Sequence, residues 1–235
     1  MTRRVAWIVL VAVACVQAGC TSLRKRAELH FAPQCAITNW SRAPRFERLG
    51  IRRVAVVPFV DRSRYAEASK RLTEAFALEL RKTRKFDVLT LERGEPLARL
   101  AASRARFDAV EARMLGETLN VDALVLGEIV EYEPYRPIAI GLRVVMIDTR
   151  SGRVVWSVDE TLDTGELAVA NLARQYYYDV VDPAASQFLD DRVLLSMRSF
   201  ARCVCYHFVR TLDRPLSAGA EAPASARSGA ASGDS

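Results

Sequence analysis

Six consecutive apolar residues, Val54-Ala55-Val56-Val57-Pro58-Phe59, constrain the fold of this chain more than any other feature. A strand with one wet face alternates apolar and polar side chains. A continuous run rich in β-branched residues, closed by a proline-containing turn, is instead a strand buried on both faces. Such a strand belongs in a sheet flanked by helices, in two or three layers.

The downstream pattern supplies the partners. Residues 65–82 place Ala68, Leu72, Ala75, Phe76 and Leu80 at helical spacing, with Lys70, Arg71, Glu74 and Arg81 elsewhere, which makes an amphipathic helix. Residues 86–91 read as a short strand. A helical region follows from about Leu97, strongest over 108–119, with Asn120 as its stop. Residues 122–130 form a third strand, whose Gly127 marks a bulge or a close backbone approach. Ile138, Ile140, Leu142, Val144 and Met146 share one face of a fourth strand. The turn Thr149-Arg150-Ser151-Gly152 returns the chain as a fifth strand over 153–162, giving an antiparallel hairpin. Residues 165–178 read as a helix and 179–191 as a loop broken by Pro183. Residues 196–212 close the fold with Phe200, Val204, Phe208 and Leu212 on one stripe. The order β-α-β-α-β-β-β-α specifies an α/β fold: a mixed, partly parallel sheet flanked by helices, with right-handed crossovers in its early units.

The N-terminus carries a different message. Arg3-Arg4 precede an apolar run from Val5 to Val16, and Gln17-Ala18-Gly19-Cys20 follow. A basic start, a short apolar core and small residues before a cleavage point describe a secretory signal peptide, too short to span a bilayer. The Ala18-Gly19-Cys20 ending resembles the bacterial lipobox, in which a lipid is attached to the cysteine thiol; Gln17 departs from the apolar residue usual there. This marks residues 1–19 as a lipoprotein signal peptide and Cys20 as the lipidation (palmitate) site. Thr21, in place of the Asp that retains bacterial lipoproteins at the inner membrane, favours the outer membrane, facing the periplasm. Residues 20–52 read as a basic tether, 53–213 as a single α/β domain, and 214–235 as a disordered Ala/Ser/Gly/Pro tail.

The charge distribution supports that division. The whole chain carries +6, which looks like a nucleic-acid or membrane signal. Residues 20–53 hold eight basic and two acidic side chains, a net of +6, whereas Val54 onward holds 24 basic and 26 acidic, a net of −2. A nucleic-acid-binding fold would carry its basic face on the body. The basic segment suits a tether beside anionic headgroups.

The search for chemistry gives little. There is no phosphate-cradling loop, dinucleotide fingerprint or Gly-x-Ser-x-Gly elbow, so no cofactor and no enzyme activity are expected. With His30 in the tether, a hydrolase triad would depend on His207. Cys203 and His207, four apart, make at most half a metal site, and no metal is expected. Asp61, Asp122 and Asp148 lie near strand ends, where turn and cap chemistry accounts for them. Of the cysteines left after Cys15 and Cys20, Cys35 pairs with Cys203 or Cys205, or all three stay as free thiols. Tyr176, Tyr177 and Tyr178 are adjacent; three such rings cannot share one core, so at least one is expected to be exposed as a partner contact.

Three blocks carry a family resemblance: residues 54–59; Leu119-Asn120-Val121-Asp122-Ala123-Leu124-Val125-Leu126-Gly127-Glu128-Ile129; and Ile147-Asp148-Thr149-Arg150-Ser151-Gly152-Arg153-Val154-Val155-Trp156-Ser157. In this order they resemble the superfamily of the curli secretion channel lipoprotein, the penicillin-binding-protein activator lipoproteins and the amino-terminal domain of the Tol translocation protein. The resemblance implies a non-enzymatic module that binds an envelope protein partner, as an activator or assembly factor for cell-wall synthesis or export. The alternative is an oligomeric secretion-pore component resembling the curli channel, with a homo-oligomer as the assembly. The links 60–64 and 132–137 are too short for the channel's inserted strands, and 163–196 shows no lipid-facing alternation.

Overall fold

A computed structural model of the protein describes residues 35–61, 65, 67–92, 94–95, 109–182 and 192–215. The expected signal peptide with Cys20, the region from Leu97 to Asp108, most of the expected 179–191 loop and the residues beyond 215 lie outside the described residues.

Seven strands form one mixed sheet. They are β1 (Trp40–Arg42), β2 (Arg53–Val56), β3 (Val60–Asp61), β4 (Asp87–Thr90), β5 (Ala123–Glu133), β6 (Ala139–Asp148) and β7 (Val154–Asp163). The order across the sheet is β1-β7-β6-β5-β2-β4, with β3 continuing beside β5. β2 pairs in parallel with both β4 and β5, and β5, β6, β7 and β1 pair antiparallel in succession. The helices are α1 (Ala68–Lys82), α2 (Ala109–Leu119), α3 (Leu167–Tyr176), α4 (Arg192–Leu195) and α5 (Met197–Arg210). The expected class is the one observed; β1 and the short β3 are strands that the expected order lacked.

The apolar run behaves as its composition demands. Val54, Ala55, Val56 and Val57 are all fully or nearly fully buried. Val54 and Val56 join the larger core, where Leu72, Phe76 and Leu80 of α1 meet Phe200, Val204 and Phe208 of α5. Ala55 and Val57 face the other way, with Leu124 and Ile147, against Ala112 and Leu115 of α2. The result is three layers, with the sheet between helices on both faces. Burying one Leu or Phe side chain contributes roughly 1.5–3 kcal/mol, and these two clusters are where that term is concentrated.

Pro58 interrupts the run, and α1 repairs the break. The Phe59 N–H donates to Thr73 Oγ1 at 2.9 Å. The Ser69 hydroxyl donates to the Phe59 carbonyl at 2.7 Å, and Thr73 Oγ1 donates to the Ser69 carbonyl at 2.6 Å. Backbone groups that leave the ladder inside a core need such partners. The Phe59 ring then lies on Gly127: a Cβ there would sit 2.4 Å from the ring. Of the two readings of Gly127, the close approach is the one observed; the bulge in β5 falls between Ile129 and Glu131. Asn120 does end α2, with φ 52°.

The exposed sheet edge at β4 is closed by a side chain. The Arg81 guanidinium donates to the Val88 carbonyl at 3.2 Å and to Thr90 Oγ1 at 2.6 Å, which occupies an acceptor that another strand could use.

The domain boundary at residue 53 needs correction. The body already includes residue 35: the Cys35 N–H donates to the Ala168 carbonyl at 3.1 Å, Ile37 is 2% exposed, and β1 pairs with β7 with Trp40 opposite Val158. Phe46 is buried as well. Much of the basic charge assigned to a tether therefore decorates the fold. Arg42 pairs with Glu47 at 2.9 Å and also donates to the Leu212 carbonyl. A three-residue strand has too few positions to show a period, and its pairing partner lies more than a hundred residues away.

Candidate functional site

The tyrosine cluster grows out of α3. Its apolar positions Val169, Ala170, Leu172 and Ala173 pack inward. At its C-terminal end the helix widens into a π turn, Tyr177–Val181, in which the Asp182 N–H reaches back to the Tyr177 carbonyl at 2.9 Å. The expectation of an exposed ring fails. Tyr176, Tyr177 and Tyr178 are 2%, 8% and 8% exposed. The π turn changes the angular step per residue, so successive side chains leave the positions that regular α-helical spacing would give them. Tyr177 and Tyr178 meet edge to face with centroids 6.4 Å apart.

Tyr176 packs against α5, with its ring 5.1 Å from Tyr206 and 6.2 Å from His207. Leu172, Gln175, Tyr176, Asp179, Val180, Tyr206, His207 and Arg210 line a half-open cavity of about 180 Å³. Arg210 lies 5.5 Å from the centre of the Tyr206 ring and donates to its hydroxyl at 3.1 Å. The Tyr176 hydroxyl and His207 Nε2 are both buried without a hydrogen-bond partner. Burial, then the charges of Arg214 and Arg210, push the His207 pKa down to about 4, so the ring is neutral at pH 7. Burial raises the Tyr176 phenol well above its usual range, with the Glu79 charge adding to the effect.

The remaining sequence candidates separate. Cys203 and Cys205 are fully buried free thiols whose pKa burial raises, and Cys35 is a half-buried free thiol. Free thiols, not a Cys35 disulfide, are thus what the structure contains. Among the described residues, no group of three or more His, Cys, Asp or Glu side chains is placed to hold a metal. Asp122 Oδ2 accepts the N–H groups of Arg52 and Arg53, each at 2.9 Å, and its Oδ1 meets Arg150 at 2.9 Å. Asp148 Oδ2 accepts from the Ser151 N–H and hydroxyl inside the hairpin turn. Asp122 and Asp148 are therefore structural caps.

Sequence reading missed Tyr206 and Arg210 as parts of the cavity. The signal available was their i, i+4 spacing on the flank of α5 next to His207. It also missed a second cavity of about 380 Å³ between α1 and α5, lined by Glu67, Lys70, Arg71, Glu74, Arg198 and Arg202 among others. Beside it the buried Glu79 carboxylate meets Lys82 Nζ at 2.6 Å and Arg202 Nε at 3.8 Å.

No family model matches the chain. No curated protein matches it either. Among solved structures it is similar to PelC of Paraburkholderia phytofirmans, determined as a dodecamer, at 20% identity over 53% of this chain and 78% of that one, with a TM-score of 0.40. It is similar to lipoprotein GNA1162 of Neisseria meningitidis at 15% identity, 47% and 79% coverage and a TM-score of 0.35. It is also similar to the LpoB C-terminal domain of Salmonella enterica at 14% identity, 48% and 84% coverage and a TM-score of 0.33.

Proposed function

We propose that this chain is a bacterial envelope lipoprotein, anchored by lipid on Cys20 and facing the periplasm, that works as a non-enzymatic protein-binding module. The observation that carries the reading is the segment before the fold: a basic start, a 12-residue apolar run and Ala18-Gly19-Cys20. Cys35 is already hydrogen-bonded to the body, so 14 residues separate Cys20 from it. At about 3.5 Å per residue they hold the body within roughly 50 Å of the bilayer. His207, the residue on which hydrolase chemistry would depend, is set among tyrosine rings and arginines.

Metabolic palmitate labelling tests the anchor. The wild-type chain is expected to take up label and sediment with membranes, whereas Cys20→Ser loses both; retained label on that variant refutes the anchor. In-cell crosslinking tests the module, which should capture the same envelope protein from wild-type cells reproducibly. A detergent-dependent ring of this chain alone would refute the module in favour of a secretion pore.

A further inference from the structure

The two ends of the sheet differ in charge. At one end β2, β4 and β5 begin while β1 and β6 finish. Three loops gather there: 43–52 between β1 and β2, 83–86 before β4, and the 149–153 turn. Most carboxylates of this end are already engaged. Glu47, Asp87, Asp122 and Asp213 pair with Arg42, Arg53, Arg150 and Lys85, and Asp148 holds Ser151. Arg45, Arg48, Arg52, Arg84 and Arg153 are exposed and make no ion pair among the described residues. Glu117, in the last turn of α2, is the exposed acid that stands against them. The strands run in the order β1-β7-β6-β5-β2-β4, so at about 4.8 Å per strand these arginines spread along an edge of roughly 24 Å. A row of that length suits a surface with many charges, not one small ligand.

Two of the arginines occupy backbone that arginine does not favour. Arg45 and Arg84 have φ 58° and 56°, in the left-handed region where a Cβ is penalised and Gly or Asn is the ordinary occupant. Arg84 directly follows Thr83, the C-cap of α1, at the place where glycine commonly ends a helix. Glycine would relieve the backbone at both positions, so packing does not account for the arginines that stand there.

The opposite end, where β5 and β7 finish, is acidic: Glu131, Glu133, Glu160, Asp163 and Glu166 stand there against Arg136. Several of these acids are turned to the body itself. Glu160 accepts the Thr38 and Asn39 N–H groups, Asp163 the Gly165 N–H and Glu133 the Tyr135 N–H. They make a poor receptor for the arginines of another copy. The tether also enters at this end, through Cys35. Its reach of roughly 50 Å exceeds the roughly 36 Å spanned by the 11 residues of β5, so the body can turn its basic end to the bilayer.

We infer that this basic end docks on the anionic phospholipid headgroups of the membrane that carries the anchor. The inference rests on the anchored reading above and adds an orientation to it. A negative surface attracts one end of the body and repels the other. Each arginine close to that surface contributes about fivefold to the ratio of docked to undocked body.

The test uses the full-length chain reconstituted into phosphatidylcholine vesicles, with or without phosphatidylglycerol. Phenylglyoxal modification of arginines is followed by mass spectrometry. In the anionic vesicles Arg45, Arg48, Arg52, Arg84 and Arg153 are expected to react about fivefold more slowly or less. Arg136, exposed at the acidic end, should react equally in both and serves as the internal control. About 1 M salt, where the Debye length is about 3 Å, should remove the difference. The double variant Arg45→Gly, Arg84→Gly should keep or raise the melting temperature and lower the protection of Arg48, Arg52 and Arg153. The inference is overturned by equal rates in the two vesicles or by equal slowing of Arg136. Protection in neutral vesicles that grows with protein concentration overturns it in favour of a second copy. A double variant that melts earlier, or is protected as wild type is, overturns it as well. Such a failure with palmitate labelling intact leaves the anchored module standing. Loss of labelling with the arginines still protected removes the anchor and leaves the docking face.

Discussion

Removing the Asp122 carboxylate should destabilise the fold in a pH-dependent way. Asp122 stands at the foot of β5, where its Oδ2 accepts two backbone N–H groups that begin β2, from Arg52 and Arg53 at 2.9 Å each. Arg150 reaches Oδ1 at 2.9 Å, which ties the β6–β7 turn to the same point. The side chain is 25% exposed, so water replaces part of what is lost. Hydrogen bonds to a charged group contribute about 1.5–3 kcal/mol each before that replacement. Asp122→Ala is then expected to cost about 2–3 kcal/mol. Asp122→Asn, which keeps one acceptor oxygen, should cost about 1–2 kcal/mol. In a domain of this size that is a melting shift of roughly 2–4 °C per kcal/mol. Burial alone would raise the Asp122 pKa, but the Arg53 and Arg52 N–H groups and Arg150 outweigh it and leave the value lowered. A lowered folded pKa gives stability that is complete above the unfolded value of about 3.9 and lost as pH falls through the folded value. Urea unfolding followed by circular dichroism should show the gap between wild type and Asp122→Asn at pH 7 and its narrowing by about pH 2.5. A gap below about 0.5 kcal/mol, the range of ordinary surface substitutions, or one unchanged between the two pH values, refutes this account of Asp122.

His207 should act in the same sense but at higher pH: its folded pKa of about 4 lies below the unfolded value near 6.5, so protonation favours unfolding, and stability on the order of 3 kcal/mol is lost as pH falls from about 6.5 to 4. His207→Gln should flatten that stretch of the pH–stability curve, and an unchanged slope counts against the buried neutral ring. Gly127→Ala should cost about 1–3 kcal/mol, because its Cβ would meet the Phe59 ring at 2.4 Å; Phe59→Leu in the same chain should recover part of it, as thermal melting of the single and double variants will show. Thr211→Val leaves the buried Trp156 Nε1–H without the acceptor it has at 2.9 Å and should cost about 1–3 kcal/mol in urea titration. Brief maleimide labelling read by mass spectrometry should modify Cys35 in the native chain and Cys203 and Cys205 only after denaturant, since both are fully buried; native labelling of either contradicts the packing of α5.

Local chemistry made most of the elements readable. The stripe Phe200, Val204, Phe208 and Leu212 lies in the core as its spacing implies, and Asn120 adopts the left-handed conformation that its side chain tolerates. The candidate cavity was less legible. Its parts come from α3, the π turn and α5, more than thirty residues apart at their extremes, and periodicity is blind to which flanks of two helices will face each other.

The sequence by itself determined that a two-faced apolar strand would sit inside a layered α/β sheet, because each residue's hydrophobicity and its spacing act over one or two turns of chain. Only the tertiary structure decided that Trp40–Arg42 joins the sheet beside β7, that all three tyrosines turn inward, and that His207 and Tyr176 are left with unmet hydrogen bonds. Those outcomes depend on pairing between segments far apart in the chain. Burial of a polar atom is a property of every surface packed around it, and no local stretch of sequence records that.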